Sequence, residues 1–104
     1  MRTGLEVPRI GQVVISTAGR DTGAPYLVVK ILNERFVAIA NGRSRSLDNP
    51  KRKNLRHLKL TPVVCEELGH RLQRGDKVTD AEIQEALAAA VARLEGGAER
   101  SAEG

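Results

Sequence analysis

The chain has 104 residues, of which 40% are hydrophobic, so it can form one compact domain or a very small domain with an appendage. No apolar run is long enough for a membrane span, and the first residues lack the apolar segment of an export signal. The lone Cys65 excludes an intrachain disulfide and a cysteine cluster for zinc. We therefore expect a cytoplasmic protein without a membrane partner.

The net charge of +4 is unevenly distributed along the chain. Residues 1–42 carry +2, residues 43–59 carry +6 and residues 60–104 carry −4. A basic block of this density is typical of an anion-binding surface, for which phosphate is the usual partner. The alternative is a solvated loop that keeps the protein soluble.

The first part of the chain predicts a β-sheet. Residues 1–9 have no hydrophobic period and are interpreted as a loose leader. Short β-branched runs predict strands at residues 13–16, 26–32 and 35–40, and the glycine-bearing segment 17–25 predicts a loop between the first two strands. Only Tyr26 and Phe36 are aromatic, and their place within strands indicates core positions.

Two further strands are predicted in the basic block. Asn41 and Gly42 are typical of a hairpin turn, and residues 43–47 alternate as a fourth strand would, with Arg43 and Arg45 on one face. Residues 51–53 are predicted to form an exposed loop, followed by a fifth strand at residues 55–60. In that strand Leu58 and Leu60 point inward, and His57 and Lys59 point outward. Five short strands at this spacing favour a small closed barrel.

The acidic remainder predicts two helices. Thr61 and Pro62 are typical of a helix start, and Gly75 is typical of a helix end. A capping box at residues 79–82 begins a second helix that is predicted to end near residues 96–97. The domain plan is therefore a leader at 1–9, a barrel at 10–60, a two-helix extension at 61–95 and a disordered tail at 96–104.

One segment resembles a known motif. Gly11, the strand 13–15, the loop 18–23 and the branched strand 27–31 resemble the KOW motif. With the basic run 50–58, they are similar to short bacterial KOW-domain RNA-binding proteins related to large-subunit ribosomal proteins of archaeal and eukaryotic type. The resemblance implies an SH3-like barrel that binds ribosomal RNA or another folded RNA.

The resemblance and the basic block together define candidate site residues. Counterion release at phosphates would supply affinity, and the scarcity of aromatic side chains favours recognition of backbone shape over base stacking. The candidate RNA-binding residues are Arg20, Arg43, Arg45, Lys51, Arg52, Lys53, Arg56, His57 and Lys59. The structural glycines of the motif are Gly11, Gly19, Gly23 and Gly42. The alternative for the loop glycines is that they only close a tight hairpin. The alternative for His57 is that it is an exposed edge-strand residue without a role in binding.

Catalytic patterns are not evident in the sequence. Cys65 and His70 are five positions apart in a predicted helix and so do not share a face, and residues 19–23 lack the lysine that completes a phosphate-cradling loop. We expect no enzymatic activity, cofactor, metal or small-molecule substrate. The expected partners are structured RNA and ribosomal proteins. The alternative function is a protein-interaction adaptor in transcription or translation, in which the helical extension docks on a partner such as polymerase.

Overall fold

The computed structural model describes the backbone of residues 7–103 and the side chains of residues 7–96. Residues 1–6 of the predicted leader, together with Gly104, lie outside the described residues. Residues 7–103 form five strands, one 3-10 turn and two helices. In order they are β1 (Gln12–Ser16), β2 (Pro25–Ile31), β3 (Phe36–Ala40), β4 (Lys51–Asn54), the 3-10 turn (Leu55–His57), β5 (Leu58–Val64), α1 (Glu66–Arg74) and α2 (Asp80–Glu103).

The five strands form one antiparallel sheet in the order β4-β3-β2-β1-β5, which confirms a mainly β protein with two C-terminal helices. Within the described residues β4 and β5 do not pair, so the sheet is not shown to be closed. The sheet is nevertheless curled. Five flat strands would hold β4 and β5 about 19 Å apart, whereas the three-residue turn between them spans at most about 15 Å. Register shifts in β1 and β2 allow this bending.

Both faces of the curled sheet are buried, because alternate strand residues point to opposite sides. The inner face carries an aliphatic cluster with one aromatic ring: Val14, Tyr26, Val28, Val37, Ile39 and Leu58. The outer face packs against the two helices, and Leu68 of α1 and Ile83 and Leu87 of α2 are buried there. The helices therefore cover the sheet of their own chain.

The fourth strand is not where the sequence pattern placed it. Residues 43–47 form turns and bends because the Asn41 side chain accepts hydrogen bonds from the backbone N–H groups of Arg43 and Arg45, at 2.9 and 3.0 Å. The strand that pairs with β3 is β4, which was predicted as an exposed loop. Lysine can occupy a sheet position because its aliphatic stem packs while its ammonium group reaches solvent or a partner.

The fifth strand begins later and ends later than predicted. A 3-10 turn takes up Leu55–His57, and β5 continues through Pro62 to Val64. Leu58 is buried, Leu60 packs against the inner cluster and Lys59 is exposed, as expected. Thr61 is not a helix cap, because its buried hydroxyl donates to the Val13 carbonyl at 2.7 Å. Pro62 is tolerated because β5 is an edge strand.

The helical part agrees with its predicted signals at two places. Gly75 ends α1 in a left-handed conformation, with φ of 80°. The capping box is present: Thr79 N donates to Glu82 Oε1 at 2.9 Å, and Glu82 N donates to Thr79 Oγ1 at 3.2 Å. Helix α1 begins at Glu66 rather than after Thr61, and α2 extends to Glu103, past the predicted end near residues 96–97.

Two motif glycines allow the sheet to approach the helices closely. A Cβ atom on Gly11 would lie 2.7 Å from the Cys65 carbonyl oxygen, and one on Gly42 would overlap the Asp80 carbonyl at the start of α2. Both residues have positive φ, 96° and 78°. Gly19 and Gly23 also have positive φ but lie in the more open loop between β1 and β2.

Much of the apolar stripe on which the adaptor alternative relied packs against the sheet, with Ile83 and Leu87 buried and Leu94 partly buried. The adaptor alternative stays a prediction. In the part of the chain that the structure describes, no helix combines the length and apolar character of a membrane span. The division into a leader at 1–9, a barrel domain at 10–60, a helical extension at 61–95 and a tail at 96–104 stays a prediction.

Candidate nucleic-acid interface

Two loops meet at one end of the sheet. The strands β1 to β4 run antiparallel in succession, so the loop 17–24 between β1 and β2 lies at the same end as the loop 41–50 between β3 and β4. A contact links the first loop to β4 directly, because Lys53 Nζ donates to the Ala18 carbonyl at 3.3 Å. Side chains from both loops and from β4 can therefore act on one ligand.

The Asp21 carboxylate is the polar centre of this end of the sheet. Ser16 Oγ donates to its Oδ1 at 2.8 Å, and the Tyr26 hydroxyl donates to its Oδ2 at 2.7 Å. Two ammonium groups complete the set at 3.5 Å each, Lys51 on Oδ2 and Lys53 on Oδ1. We call Ser16, Asp21, Tyr26, Lys51 and Lys53 the Asp21 cluster.

The protonation behaviour of the cluster follows from these contacts. The hydrogen bond from Tyr26 is the main cause that holds the pKa of Asp21 well below its usual range, with further lowering by Ser16, Lys53 and Lys51 against the opposing effect of burial. Burial, followed by the hydrogen bond to Asp21 and its charge, raises the pKa of Tyr26 to about 12, although Arg45 acts in the opposite direction. The cluster is thus an ionised carboxylate beside a neutral phenol at neutral pH.

The three cations of β4 do not share a surface, which corrects the prediction of a single exposed loop. Lys51 and Lys53 stand opposite Ile39 and Val37, and their ammonium groups reach Asp21. Arg52 stands opposite Ala38 on the other face, where its guanidinium lies 3.9 Å from the centre of the Phe36 ring. The alternation of a strand separates residues that a loop would have presented together.

The arginines at 43 and 45 also separate, because residues 43–47 are not a strand. Arg45 is half-buried and close enough to Tyr26 to influence its titration. Arg43 is exposed and lines a cleft against α2, beside Gln84 and Leu87. The Gln84 side chain donates to the Gly42 carbonyl at 2.6 Å, which ties this turn to α2.

The remaining candidate residues lie around the same loops. Arg20 is exposed beside Asp21 in the loop 17–24. His57 is half-buried, and its carbonyl accepts a hydrogen bond of 2.9 Å from Thr17 N. Arg56 precedes it in the 3-10 turn and is exposed, and Lys59 is exposed on β5. The structure therefore brings Lys51 and Lys53 to Asp21, places Arg45 close to Tyr26, and directs Arg52 to the opposite face.

Sequence reasoning assigned no role to Asp21 and placed Tyr26 only in the core. Tyr26 is indeed buried, with 3% of its surface exposed, but its hydroxyl is an anchor for the loop. The sequence gives no local signal for this contact, since an aspartate between Gly19 and Gly23 is also typical of an ordinary turn. Among the described side chains, no group of three histidine, cysteine, aspartate or glutamate residues is arranged to hold a metal ion.

Comparison with known proteins finds relatives whose names refer to the ribosome. Large ribosomal subunit protein eL14 of Pyrobaculum calidifontis is 31% identical over 86 residues, which cover 83% of this chain and 77% of that protein. The eL14 protein of Staphylothermus marinus is 30% identical over 79 residues, 76% of this chain and 75% of that protein. A Bacillus subtilis protein named "Putative ribosome-binding protein YbzG" is 34% identical over 71 residues, 68% of this chain and 96% of that protein. No protein-family model matches the chain.

These relatives confirm the resemblance to ribosome-related KOW proteins that the motif indicated. The chain itself carries a curled five-stranded sheet and a glycine-bearing loop between β1 and β2. The chain belongs to the family of large ribosomal subunit protein eL14.

Proposed function

We propose that this protein associates with the ribosome in the cytoplasm and binds folded ribosomal RNA through the phosphate backbone. Membership of the eL14 family supports the ribosomal partner, and one relative is itself named as ribosome-binding. Ribosomal proteins that border the same RNA are the second class of partner. The function is binding rather than catalysis.

The observation that carries the proposal is the arrangement of charge around the loops 17–24 and 41–50. Lys51 and Lys53 contact the Asp21 carboxylate, Arg45 lies close to Tyr26, and Arg20 precedes Asp21 in its loop. These four cations outnumber the two carboxylates of the loops, Asp21 and Asp48, and leave a surplus of positive charge. Such a surplus attracts a polyanion over the distance of a Debye length, about 8 Å at physiological salt.

The exposed cations are proposed to make the direct contacts. Arg20, Arg43, Arg56 and Lys59 are exposed, whereas the Lys53 side chain is only 10% exposed and the Lys51 side chain 33%. The two lysines of the Asp21 cluster therefore supply positive potential and loop position, and His57 adds a polar group beside them. Arg52 would meet RNA on the other face of the sheet.

Recognition is proposed to depend on RNA shape rather than on base stacking. Tyr26 is buried and Phe36 is covered by the Arg52 guanidinium, so neither ring is presented as a platform for a base. Arginine forks and lysine ammonium groups bind phosphate without reading sequence. Affinity should therefore depend strongly on salt and weakly on base identity.

We also propose that the sheet is an SH3-like barrel of the KOW type. The strand order β4-β3-β2-β1-β5, the curl imposed by the three-residue turn and the separate inner cluster support this proposal. In this geometry the loop 17–24 stands at the rim of the barrel, which explains how it can combine a fixed shape with access to a ligand.

The proposal is tested by neutralising exposed cations in two matched sets. The triple variant Arg20→Gln, Arg56→Gln, Lys59→Gln removes charge from the proposed surface. The control Arg74→Gln, Lys77→Gln, Arg93→Gln removes the same charge from exposed positions in the helical part. Both are compared with the native protein in co-sedimentation with large ribosomal subunits and in gel shifts with ribosomal RNA over a salt series.

We expect the first set to weaken binding and to reduce the slope of log K against log salt by roughly 0.9 for each lost phosphate contact. The helical control should retain most of the native affinity and the native slope. Equal losses in both sets would show that net charge alone controls binding, and native affinity in the first set would refute the proposed surface.

A further inference from the structure

We infer that Asp21 is a positioning residue whose carboxylate strengthens RNA binding, although it places a negative charge on a phosphate-binding surface. The inference rests on the proposed function and names the residue that gives the loop 17–24 its shape. Electrostatics alone predicts the opposite sign, since a carboxylate repels phosphate. The two views can therefore be separated by the direction of one measured change.

The Asp21 side chain joins three strands. Both carboxylate oxygens have two donors: Ser16 and Lys53 reach Oδ1, and Tyr26 and Lys51 reach Oδ2. Ser16 ends β1, Tyr26 lies in β2 and the lysines lie in β4. A single group on the loop is thus attached to the core of the sheet and to its edge strand.

The backbone of the loop is fixed around the same residue. The Asp21 carbonyl accepts from Ala24 N at 2.8 Å, and the Ser16 carbonyl accepts from Gly23 N at 2.7 Å. The Ala18 carbonyl accepts from Lys53 Nζ at 3.3 Å. The loop that carries Arg20 is therefore ordered before any ligand arrives. Ordering of a loop on folding removes part of the entropic cost of binding.

The charge of Asp21 is compensated in place. Two ammonium groups face one carboxylate, and the low pKa of Asp21 reflects the strength of its hydrogen bonds. Removal of the carboxylate would increase the net positive charge of the surface by one. It would also remove the contacts of Lys51 and Lys53 with the Asp21 side chain, so that the surface gains charge while the loop loses its attachment to β4 through this carboxylate.

The experiment compares two substitutions with the same change of charge. Asp21→Asn removes the anchor, and Asp48→Asn removes an exposed carboxylate from the neighbouring loop 41–50. Tyr26→Phe and Ser16→Ala each delete one donor to Asp21 without changing charge. Affinity for ribosomal RNA is measured over a salt series, and amide hydrogen exchange is measured on the protein alone.

We expect Asp21→Asn to weaken binding roughly tenfold at each salt concentration, the equivalent of about 1.4 kcal/mol. Its salt slope should not fall, because no phosphate contact is removed. Asp48→Asn should bind as tightly as the native protein or slightly more tightly. Tyr26→Phe and Ser16→Ala should weaken binding several-fold, and exchange should accelerate in residues 17–24 but not in β3.

Three results would overturn the inference. Binding by Asp21→Asn that is at least as tight as binding by Asp48→Asn would make Asp21 a simple repulsive charge. Unchanged affinity in both Tyr26→Phe and Ser16→Ala would exclude positioning even where Asp21→Asn fails to fold. Absence of saturable, salt-sensitive binding by the native protein would refute the proposed function itself, and the inference with it.

Discussion

The Tyr26 hydroxyl donates a hydrogen bond of 2.7 Å to Asp21 Oδ2, and this contact joins the inner core of the sheet to the loop between β1 and β2. Tyr26 is 3% exposed, so the loop is anchored to a buried residue of the inner cluster. The phenol remains neutral because an anion beside the Asp21 carboxylate would be destabilised by burial and by like charge.

The titration of Tyr26 tests this relationship directly. The chain has one tyrosine and no tryptophan, so the absorbance of tyrosinate reports this residue alone. We expect a midpoint near the pKa of about 12 in the folded protein. In Asp21→Asn the midpoint should move toward the ordinary tyrosine value, about 10. An unshifted midpoint in the native protein would contradict the hydrogen bond.

Stability at alkaline pH should depend on the same group. The folded protein holds the phenol proton more tightly than the unfolded chain does. The stabilising contribution is therefore complete below about pH 10 and is lost as the pH rises toward the folded pKa of about 12. The free energy of unfolding of the native protein should consequently fall relative to that of Tyr26→Phe across this range. Urea unfolding followed by circular dichroism at several pH values measures the difference.

Stability in acid should depend on Asp21. Its pKa in the folded protein is lowered, first by the hydrogen bond from Tyr26, so the folded state binds a proton there less readily than the unfolded chain. The contribution is complete above about pH 4 and declines as the pH falls further. The stability advantage of the native protein over Asp21→Asn should therefore shrink in acid. A difference that stays constant from neutral pH to pH values well below 4 would contradict the assignment.

Two glycine substitutions separate backbone strain from steric overlap. Gly11 and Gly23 have nearly the same φ, 96° and 92°. A Cβ atom on Gly11 would lie 2.7 Å from the Cys65 carbonyl oxygen, whereas a Cβ atom on Gly23 would meet no heavy atom within 4 Å apart from its chain neighbours. Gly23→Ala should cost about 1–2 kcal/mol, the conformational penalty alone. Gly11→Ala should cost clearly more, because β1 and α1 would have to move apart. Equal losses in thermal unfolding would show that the close packing is not a constraint.

The contact between the two helices depends on Glu82. Its carboxylate accepts a fork from Arg71, at 2.9 and 3.0 Å, and also completes the capping box with Thr79. The hydrogen bond from Arg71 is the main cause that lowers the pKa of Glu82 to about 2. Glu82→Gln should lower the thermal midpoint by a few degrees, and the exposed Glu85→Gln on the same helix should leave it unchanged. A loss as large in Glu85→Gln would mean that helix charge, not this contact, matters.

The difference between Glu82→Gln and the native protein should also depend on pH. Because the pKa of Glu82 is lowered in the folded protein, its contribution is present at neutral pH and declines as the pH falls from about 4 toward about 2. The two proteins should therefore converge in strong acid. Persistent separation of their thermal midpoints at low pH would indicate a packing effect instead.

Local patterns in the sequence determined much of this protein. The β-branched runs became β1, β2 and β3 within a residue or two of prediction, and the glycines at 11, 19, 23 and 42 all took positive φ. The end of α1 at Gly75 and the capping box at Thr79 were also predicted, because caps depend on neighbouring residues. These features are fixed by contacts within a few positions of the chain.

Tertiary structure decided the parts that local patterns assigned wrongly. Residues 51–54 form β4 because they pair with the edge of β3 that β2 leaves open. Residues 43–47 lie outside the sheet because the Asn41 side chain accepts hydrogen bonds from their backbone N–H groups. Thr61 became a buried strand residue because its hydroxyl meets the Val13 carbonyl. For β4 and for Thr61, a partner distant in the chain stabilised a conformation that the local sequence does not favour. The turn at 43–47 depends instead on the nearby Asn41 side chain, a local contact that the alternating pattern does not reveal.

The amino-acid sequence alone therefore determined the class of protein, the glycine-bearing loop and the presence of a basic block. Only the tertiary structure decided which cations share a face of the sheet. The alternation of β4 directs Lys51 and Lys53 to Asp21 and Arg52 to Phe36. The physical reason is that the direction of a side chain follows from strand pairing, and pairing depends on residues that are far apart in the chain.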